Sequence, residues 1–312
     1  MNSKRQRIFQ IHPSQHCNYT CLHCYSSSSP MHKESLDTEK ILNAVREVAD
    51  LGFERLSISG GEPLLYSGLK ELLTEAKKVG MNTSLVTNGS FPKKKYEELV
   101  GLIDTIGVSL DGKEALHNEV RQNTSAFEKV DRFLDYSRDL FPSVGVVLAL
   151  SDQSWEDLPD MLEFGKQKNV NFFQFHPLES VGRASATKAL SMTSTNLKRA
   201  YLLTKTLGCQ YSFPIQFDVL TAERALKTII PNLKGNMAVE CIDIIVMNEH
   251  GKIQPYTYGI DSRWQIADLN KESVASGWNN FKLNQLSDFY HWCEERINLR
   301  DELLFAPSSV YT

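Results

Sequence analysis

The 312 residues, 41% hydrophobic and 23% charged, suit one large or two modest folded domains and exclude a disordered, collagenous or coiled-coil chain. Thirty-four basic against 38 acidic residues leave a net charge of −4, a field too weak to gather nucleic acid or anionic lipid. No apolar run approaches the roughly eighteen residues of a membrane span, and the basic start Lys4-Arg5-Arg7 leads into polar sequence instead of a signal-peptide apolar region. The chain is expected in the cytoplasm.

Short runs rich in Val, Ile, Leu and Phe predict strands at Ile8 to His12, Arg55 to Ser59, Thr83 to Thr87, Thr105 to Leu110, Val144 to Ala149 and Asn171 to His176. Helical periods lie between them. The first helix opens at Thr38, carries Ile41, Val45 and Val48 on one stripe and ends at Gly52. Six such units over about 205 residues come to roughly 34 residues each, the size of a right-handed βα crossover. The pattern predicts an α/β fold, a partial TIM-like (β/α)6 barrel spanning residues 1–205. Lys93-Lys94-Lys95 reads as a solvated helix start, and Ser26-Ser27-Ser28-Ser29-Pro30 as a mobile loop.

From residue 206 to 312 the pattern changes to a smaller α+β extension. Ile242 to Met247, a turn at Asn248-Glu249-His250-Gly251 and Lys252 to Tyr256 predict a hairpin, with two helices around Trp278 and over Leu286 to Arg296.

Six cysteines are too sparse for a disulfide scaffold, yet Cys17, Cys21 and Cys24 fall within eight residues. Thiolates are soft ligands that favour iron–sulfur clusters, zinc or copper(I), and the spacing lets one loop wrap a single centre. A zinc site completed by His16 or His23, or a helical face of buried cysteines, is the alternative reading. Three further segments end successive strands: Gly60-Gly61-Glu62-Pro63, Thr87-Asn88-Gly89 and Ser109-Leu110-Asp111-Gly112. In a parallel barrel that carboxyl end is where ligands bind, so together with the cysteines they describe one site.

Cys17-x3-Cys21-x2-Cys24 after the first strand, with Gly60-Gly61-Glu62-Pro63 after the second, resembles the radical S-adenosylmethionine (SAM) enzymes over about residues 8 to 185. The resemblance implies one 4Fe-4S cluster on Cys17, Cys21 and Cys24, with SAM chelating the remaining iron through its amino and carboxylate groups. It implies that Gly60, Gly61 and Glu62 hold the methionine amino group. Asn88, Ser109, Asp111 and Arg121 line the ribose and carboxylate, and His23 lies by the adenine. It also implies reductive cleavage of SAM to a 5′-deoxyadenosyl radical that abstracts hydrogen from a substrate. A flavodoxin- or ferredoxin-like electron donor is expected, because such cleavage needs a low-potential cluster.

The stretch Cys241-Ile242-Asp243, Gly251 to Pro255, Ile266 to Leu269 and Trp278 resembles the SPASM or twitch extension of peptide-modifying members, except that Tyr256 stands where a cysteine normally follows the proline. A cluster usually takes four thiolates, so Cys209, Cys241 and Cys293 alone predict an extension without a full auxiliary cluster. Cys209, Cys241 or Cys293 as a hydrogen-atom donor, and Tyr256 or Tyr258 as a radical relay, are weighed against plain packing roles. The expected substrate is a ribosomally made precursor peptide, matured by cross-linking, epimerisation or backbone excision. No leader-recognition domain is visible ahead of Ile8, so a separate leader-binding protein is expected. A small molecule such as a tetrapyrrole or sugar is the alternative substrate, and a non-catalytic iron–sulfur or zinc-binding module is the rival from another class.

Overall fold

Buried apolar strands alternate with amphipathic helices to give a mostly parallel α/β sheet, the incomplete barrel that the sequence predicts. A computed structural model of the chain describes residues 6–178, 181–187, 190–218, 220–221, 242–258, 260–298 and 304–305. Seven parallel strands run in chain order: β1 (Ile8–Ile11), β2 (Arg55–Ile58), β3 (Asn82–Thr87), β4 (Thr105–Ser109), β5 (Ser143–Leu150), β6 (Phe172–Pro177) and β7 (Ile215–Phe217). The predicted six are present within a residue or so at most ends, and β7 is a seventh, only three residues long.

Helices α1 (Thr38–Asp50), α2 (Leu69–Lys78), α3 (Lys93–Glu97), α4 (Glu114–Arg121), α5 (Ala126–Leu140), α6 (Leu158–Gln167) and α7 (Ser194–Gly208) connect these strands. In α1 the Asp37 side chain accepts the Glu39 N–H at 2.9 Å, and Ile41, Ala44, Val45 and Val48 are buried. Gly52, at φ +83°, ends the helix in the left-handed region that glycine occupies without strain. Lys93, Lys94 and Lys95 are exposed on α3, as expected.

The later part of the chain extends the same sheet. Strand β9 (Ile244–Met247) lies parallel to β1 with Ile8 opposite Ile244, β10 (Lys252–Pro255) turns back antiparallel, and β11 (Ala267–Asp268) follows. The strand order is therefore β11-β10-β9-β1-β2-β3-β4-β5-β6-β7. Two short strands, β8 (Leu220–Thr221) and β12 (Leu304–Phe305), pair separately. Helices α8 (Val274–Asn284) and α9 (Leu286–Asn298) complete the described fold. Trp278 of α8 meets the Phe53 ring edge-on at 5.7 Å, and the Arg7 guanidinium lies 4.0 Å from the Phe53 ring centroid. One core runs from Phe9 and Ile11 through the strands to Trp278 and Phe289, so the hairpin helices share burial with the barrel.

Cys293 is fully buried in that core and burial pushes its thiol pKa up, the behaviour of an apolar cysteine. Cys209 is exposed at the end of α7, and Cys241 lies outside the described residues. Among the described residues no helix is long and apolar enough to cross a membrane.

Candidate cofactor site

The loop after β1 carries the three cysteines and is tied down at both ends. Ser14 bridges to Ser35 and His16 to Ser29, while the Cys17 N–H donates to the Ser29 carbonyl at 3.2 Å. The serine tract is not the mobile loop its composition suggests. Ser26 and Ser28 are buried and their hydroxyls are hydrogen-bonded at 2.7 Å, because short polar side chains can satisfy one another where larger ones would not fit.

Cys17 and Cys21 are buried in a small cluster with Tyr19 and Ala126, against which Cys24 packs, and all three thiols are free. Burial pushes the Cys17 thiol up to about 12 and raises Cys21 as well. Donors aim at both sulfurs: the Tyr19 N–H lies 3.4 Å from Cys17 Sγ, and Arg121 Nη1 lies 3.9 Å from Cys21 Sγ. A thiol that ligates a metal must be deprotonated, and a metal centre would add to the charge compensation that these two donors begin. Among the described residues no three His, Cys, Asp or Glu side chains converge on one metal-ion position.

Gly60-Gly61-Glu62 follows β2 and lies against the cysteine loop. The Gly61 N–H donates to the Ser14 carbonyl at 2.9 Å and the Glu62 N–H to the His16 carbonyl at 2.8 Å. A Cβ on Gly61 would come within 2.2 Å of the His16 carbonyl oxygen, so a side chain there would separate the two backbones. The close approach that these glycines permit is thus first of all to the cysteine loop. Glu62 is buried, its carboxylate accepting from Thr87 Oγ1 at 2.9 Å, the Asn88 N–H at 2.8 Å and the Leu64 N–H at 3.3 Å. Burial pushes its pKa up to about 7, against the pull of those donors.

Asn88 is buried after β3, and its Nδ2 donates to Asn18 Oδ1 of the cysteine loop at 2.8 Å. Asp111 is buried after β4, accepting Arg121 Nε at 2.6 Å and the Ala149 N–H at 3.2 Å, with His23 Nε2 at 3.7 Å. Burial alone would raise the Asp111 pKa, but the Arg121 guanidinium overrides it and holds the carboxyl well below its ordinary value. Arg121, which taken alone would be an ordinary surface charge, is nearly buried at the end of α4. Ser109 is half-buried at the last position of β4. Burial lowers His23 to about 4, so its imidazole is neutral.

The structure thus gathers His23, Gly60, Gly61, Glu62, Asn88, Asp111 and Arg121 around the cysteine loop at the carboxyl ends of β1 to β4. Sequence reasoning missed Asn18 and His117. His117 accepts the Asp111 N–H at Nδ1, 3.1 Å away, which places its own proton on Nε2. It stands four residues before Arg121 on α4, so the helical period marked it. Gln15 and the hairpin residue Glu249 had no local signal, whereas Tyr258 is the residue weighed above as a radical relay or a packing residue. Gln15 Nε2 donates to the Ser26 carbonyl at 2.7 Å and to Glu249 at 3.0 Å, and Tyr258 Oη donates to the same carboxylate. Tyr258 also packs on the rings of His12 and Tyr25 at 5.0 and 5.1 Å.

A small hollow bounded by His23, Asp111, Val120, Ala149, Ser151 and Leu190 opens beside this group. His23 Nδ1 and His117 Nε2 are buried without a hydrogen-bond partner among the described residues. Three free sulfurs, two buried polar atoms awaiting a partner and a carboxylate poised near neutrality make a donor set for a soft metal centre and a polar organic ligand.

Residues 11–165 match the Radical SAM superfamily model. The chain belongs to that superfamily. The radical SAM family implies a 4Fe-4S cluster and SAM. The chain is 30% identical over 177 residues to Fe-coproporphyrin III synthase of Methanosarcina barkeri, a match covering 55% of this chain and 44% of that protein. It is 26% identical over 172 residues to the sporulation killing factor maturation protein SkfB of Bacillus subtilis, covering 54% and 42%. The chain spans less than half the length of these two relatives. Structures of Streptococcus suis SuiB, bound to precursor peptide SuiA or to SAM, share its fold at a TM-score of 0.72, covering 99% of this chain and 76% or 78% of SuiB at 16% or 17% identity.

Proposed function

We propose that Cys17, Cys21 and Cys24 each ligate one iron of a 4Fe-4S cluster, and that SAM binds the fourth iron through its amino and carboxylate groups. The observation that carries this reading is the assembly of three free cysteines, two of them buried, beside Glu62 and the Asp111–Arg121 pair. Glu62, with Gly60 and Gly61, receives the methionine amino group, because an ammonium draws a carboxylate poised near 7 into its charged form. Arg121 is seen using two of its five N–H donors, on Asp111 and Cys21, which leaves its planar fork able to bind a carboxylate. Asn88, Ser109 and Asp111 line the ribose, and His23 faces the adenine at the hollow it shares with Ser151.

When bound, the cluster supplies the electron that cleaves SAM to a 5′-deoxyadenosyl radical, which takes a hydrogen atom from the substrate. The protein's part is to hold the cofactors, orient the substrate carbon and exclude water. A flavodoxin- or ferredoxin-like protein serves as electron donor. Strands β1 to β7, as far as Phe217, form the cofactor barrel, and the later residues a SPASM- or twitch-like extension without a full auxiliary cluster.

The substrate is a ribosomally made precursor peptide, presented with the help of a separate leader-binding protein. The relationship to SkfB supports this class. A small-molecule substrate is the second reading, favoured by the higher identity to Fe-coproporphyrin III synthase. Two assays test the proposal. Anaerobically reconstituted protein given dithionite and SAM should release 5′-deoxyadenosine, and no release would defeat the enzyme reading. Co-expression with a short peptide encoded beside the gene should shift that peptide's mass, whereas an unaltered peptide under reducing, anaerobic conditions would favour the small-molecule reading.

A further inference from the structure

The segment after β6 lies over the cysteine loop and holds it by its carbonyl groups. Arg183 Nε donates to the Cys21 carbonyl at 3.0 Å and Nη2 to the Ser28 carbonyl at 2.6 Å, while its N–H donates to the Cys24 carbonyl at 2.9 Å. Thr187 Oγ1 adds a bond to the Leu22 carbonyl at 3.2 Å. Four carbonyls of the irregular loop, at 21, 22, 24 and 28, thereby accept from one short segment; those of Cys21 and Cys24 also take the Cys24 and Ser27 N–H groups at 3.3 Å. Gly182 makes the contact possible. It has φ +60°, and a Cβ there would stand 2.2 Å from the Tyr25 carbonyl oxygen and 2.6 Å from that of Cys24.

We propose that Gly182 and Arg183 form a clasp that fixes the cysteine loop in its cluster-binding shape, with Arg183 as a positioning residue. The inference rests on the function proposed above and goes beyond it, since neither residue was assigned a part there. Without these bonds the Leu22 and Ser28 carbonyls lose the donors seen here, and the irregular loop would sample conformations in which the three sulfurs face apart. One guanidinium reaches two carbonyls through separate N–H groups of a rigid plane, a constraint that an ammonium cannot reproduce. Its guanidinium stands 3.0 Å from the Cys21 carbonyl, so it also brings positive charge to the loop where the cluster would sit.

The test compares wild type with Arg183→Gln, Arg183→Lys and Gly182→Ala after anaerobic reconstitution, following iron release to a ferrous chelator and the midpoint potential of the cluster. Glutamine and alanine should each release iron about tenfold faster, the range in which loss of an outer partner weakens metal binding. Glutamine should also move the potential to more negative values, because a nearby cation favours the reduced cluster. Lysine should keep the wild-type potential yet release iron faster, which separates charge from the fork. Wild-type release rates in Arg183→Gln and Gly182→Ala would overturn the clasp. Should Arg183→Gln not fold, Arg183→Lys and Thr187→Val carry the same comparison. A wild-type chain that takes up no iron would count against the proposed function instead, so the two failures are distinguishable.

Discussion

Arg121 and Asp111 meet across 2.6 Å, Nε donating to Oδ2, with both side chains almost wholly removed from solvent. The pair joins the carboxyl end of β4 to the end of α4, and the arginine reaches on towards Cys21. Asp111→Asn keeps the shape and removes the charge, leaving a buried cation without its counter-ion. Such a loss costs about 3–5 kcal/mol. Urea denaturation of the metal-free protein should show a drop of this order, and an unchanged midpoint would mean that Arg121 finds another anion.

Glu62 gives the metal-free protein a pH-dependent weakness. Its folded pKa of about 7 lies above the ordinary 4.5, chiefly through burial, so the folded chain favours the protonated carboxyl. The stability this group contributes is fully present below about pH 4.5 and is lost as pH rises through 7, a change of about 3 kcal/mol. Glu62→Gln should become more stable relative to wild type by about that amount between pH 4.5 and 8. Parallel stability curves for the two proteins would contradict this.

His12 works in the opposite direction. Burial lowers its pKa from 6.5 to about 3, so the folded chain holds it neutral between Gln10 and Tyr25. Its contribution is present above pH 6.5 and is lost as pH falls below that value. His12→Gln should flatten the acid limb of the stability curve. An acid limb of unaltered steepness would show that other groups cause it.

The glycine pair should tolerate almost nothing. Gly61→Ala forces a methyl group against the backbone of His16, where no side chain can move aside. A loss of about 2 kcal/mol or more is expected, in the range of overpacking. Retention of iron after reconstitution should fall with it, because residues 14–16 lead directly into Cys17. A fully stable, fully loaded variant would show that the loop has slack.

The strands were legible because Val, Ile, Leu and Phe recur at their buried positions, which alternate with more exposed ones, and the cysteine loop because three cysteines fell within eight residues. The pairing of β9 with β1 was not legible, since it joins residues more than 230 positions apart and leaves no local pattern in the sequence. Strand β7 was missed because three residues are too few to show a period. The serine tract misled because composition reports the polarity of a segment and not the partners that bury it, which here include Gln15 and Arg183. Arg183 itself carries no local signal at all. Its role exists only once the chain has returned across the barrel to the cysteine loop.

The most direct measurement is Mössbauer spectroscopy of the anaerobically reconstituted protein before and after SAM is added. A cluster of roughly four irons held by three cysteines has one iron open to an exogenous ligand. SAM should therefore change the signal of a single iron site, and Cys24→Ala should abolish the cluster. A spectrum indifferent to SAM, or zinc in place of iron, would contradict the account.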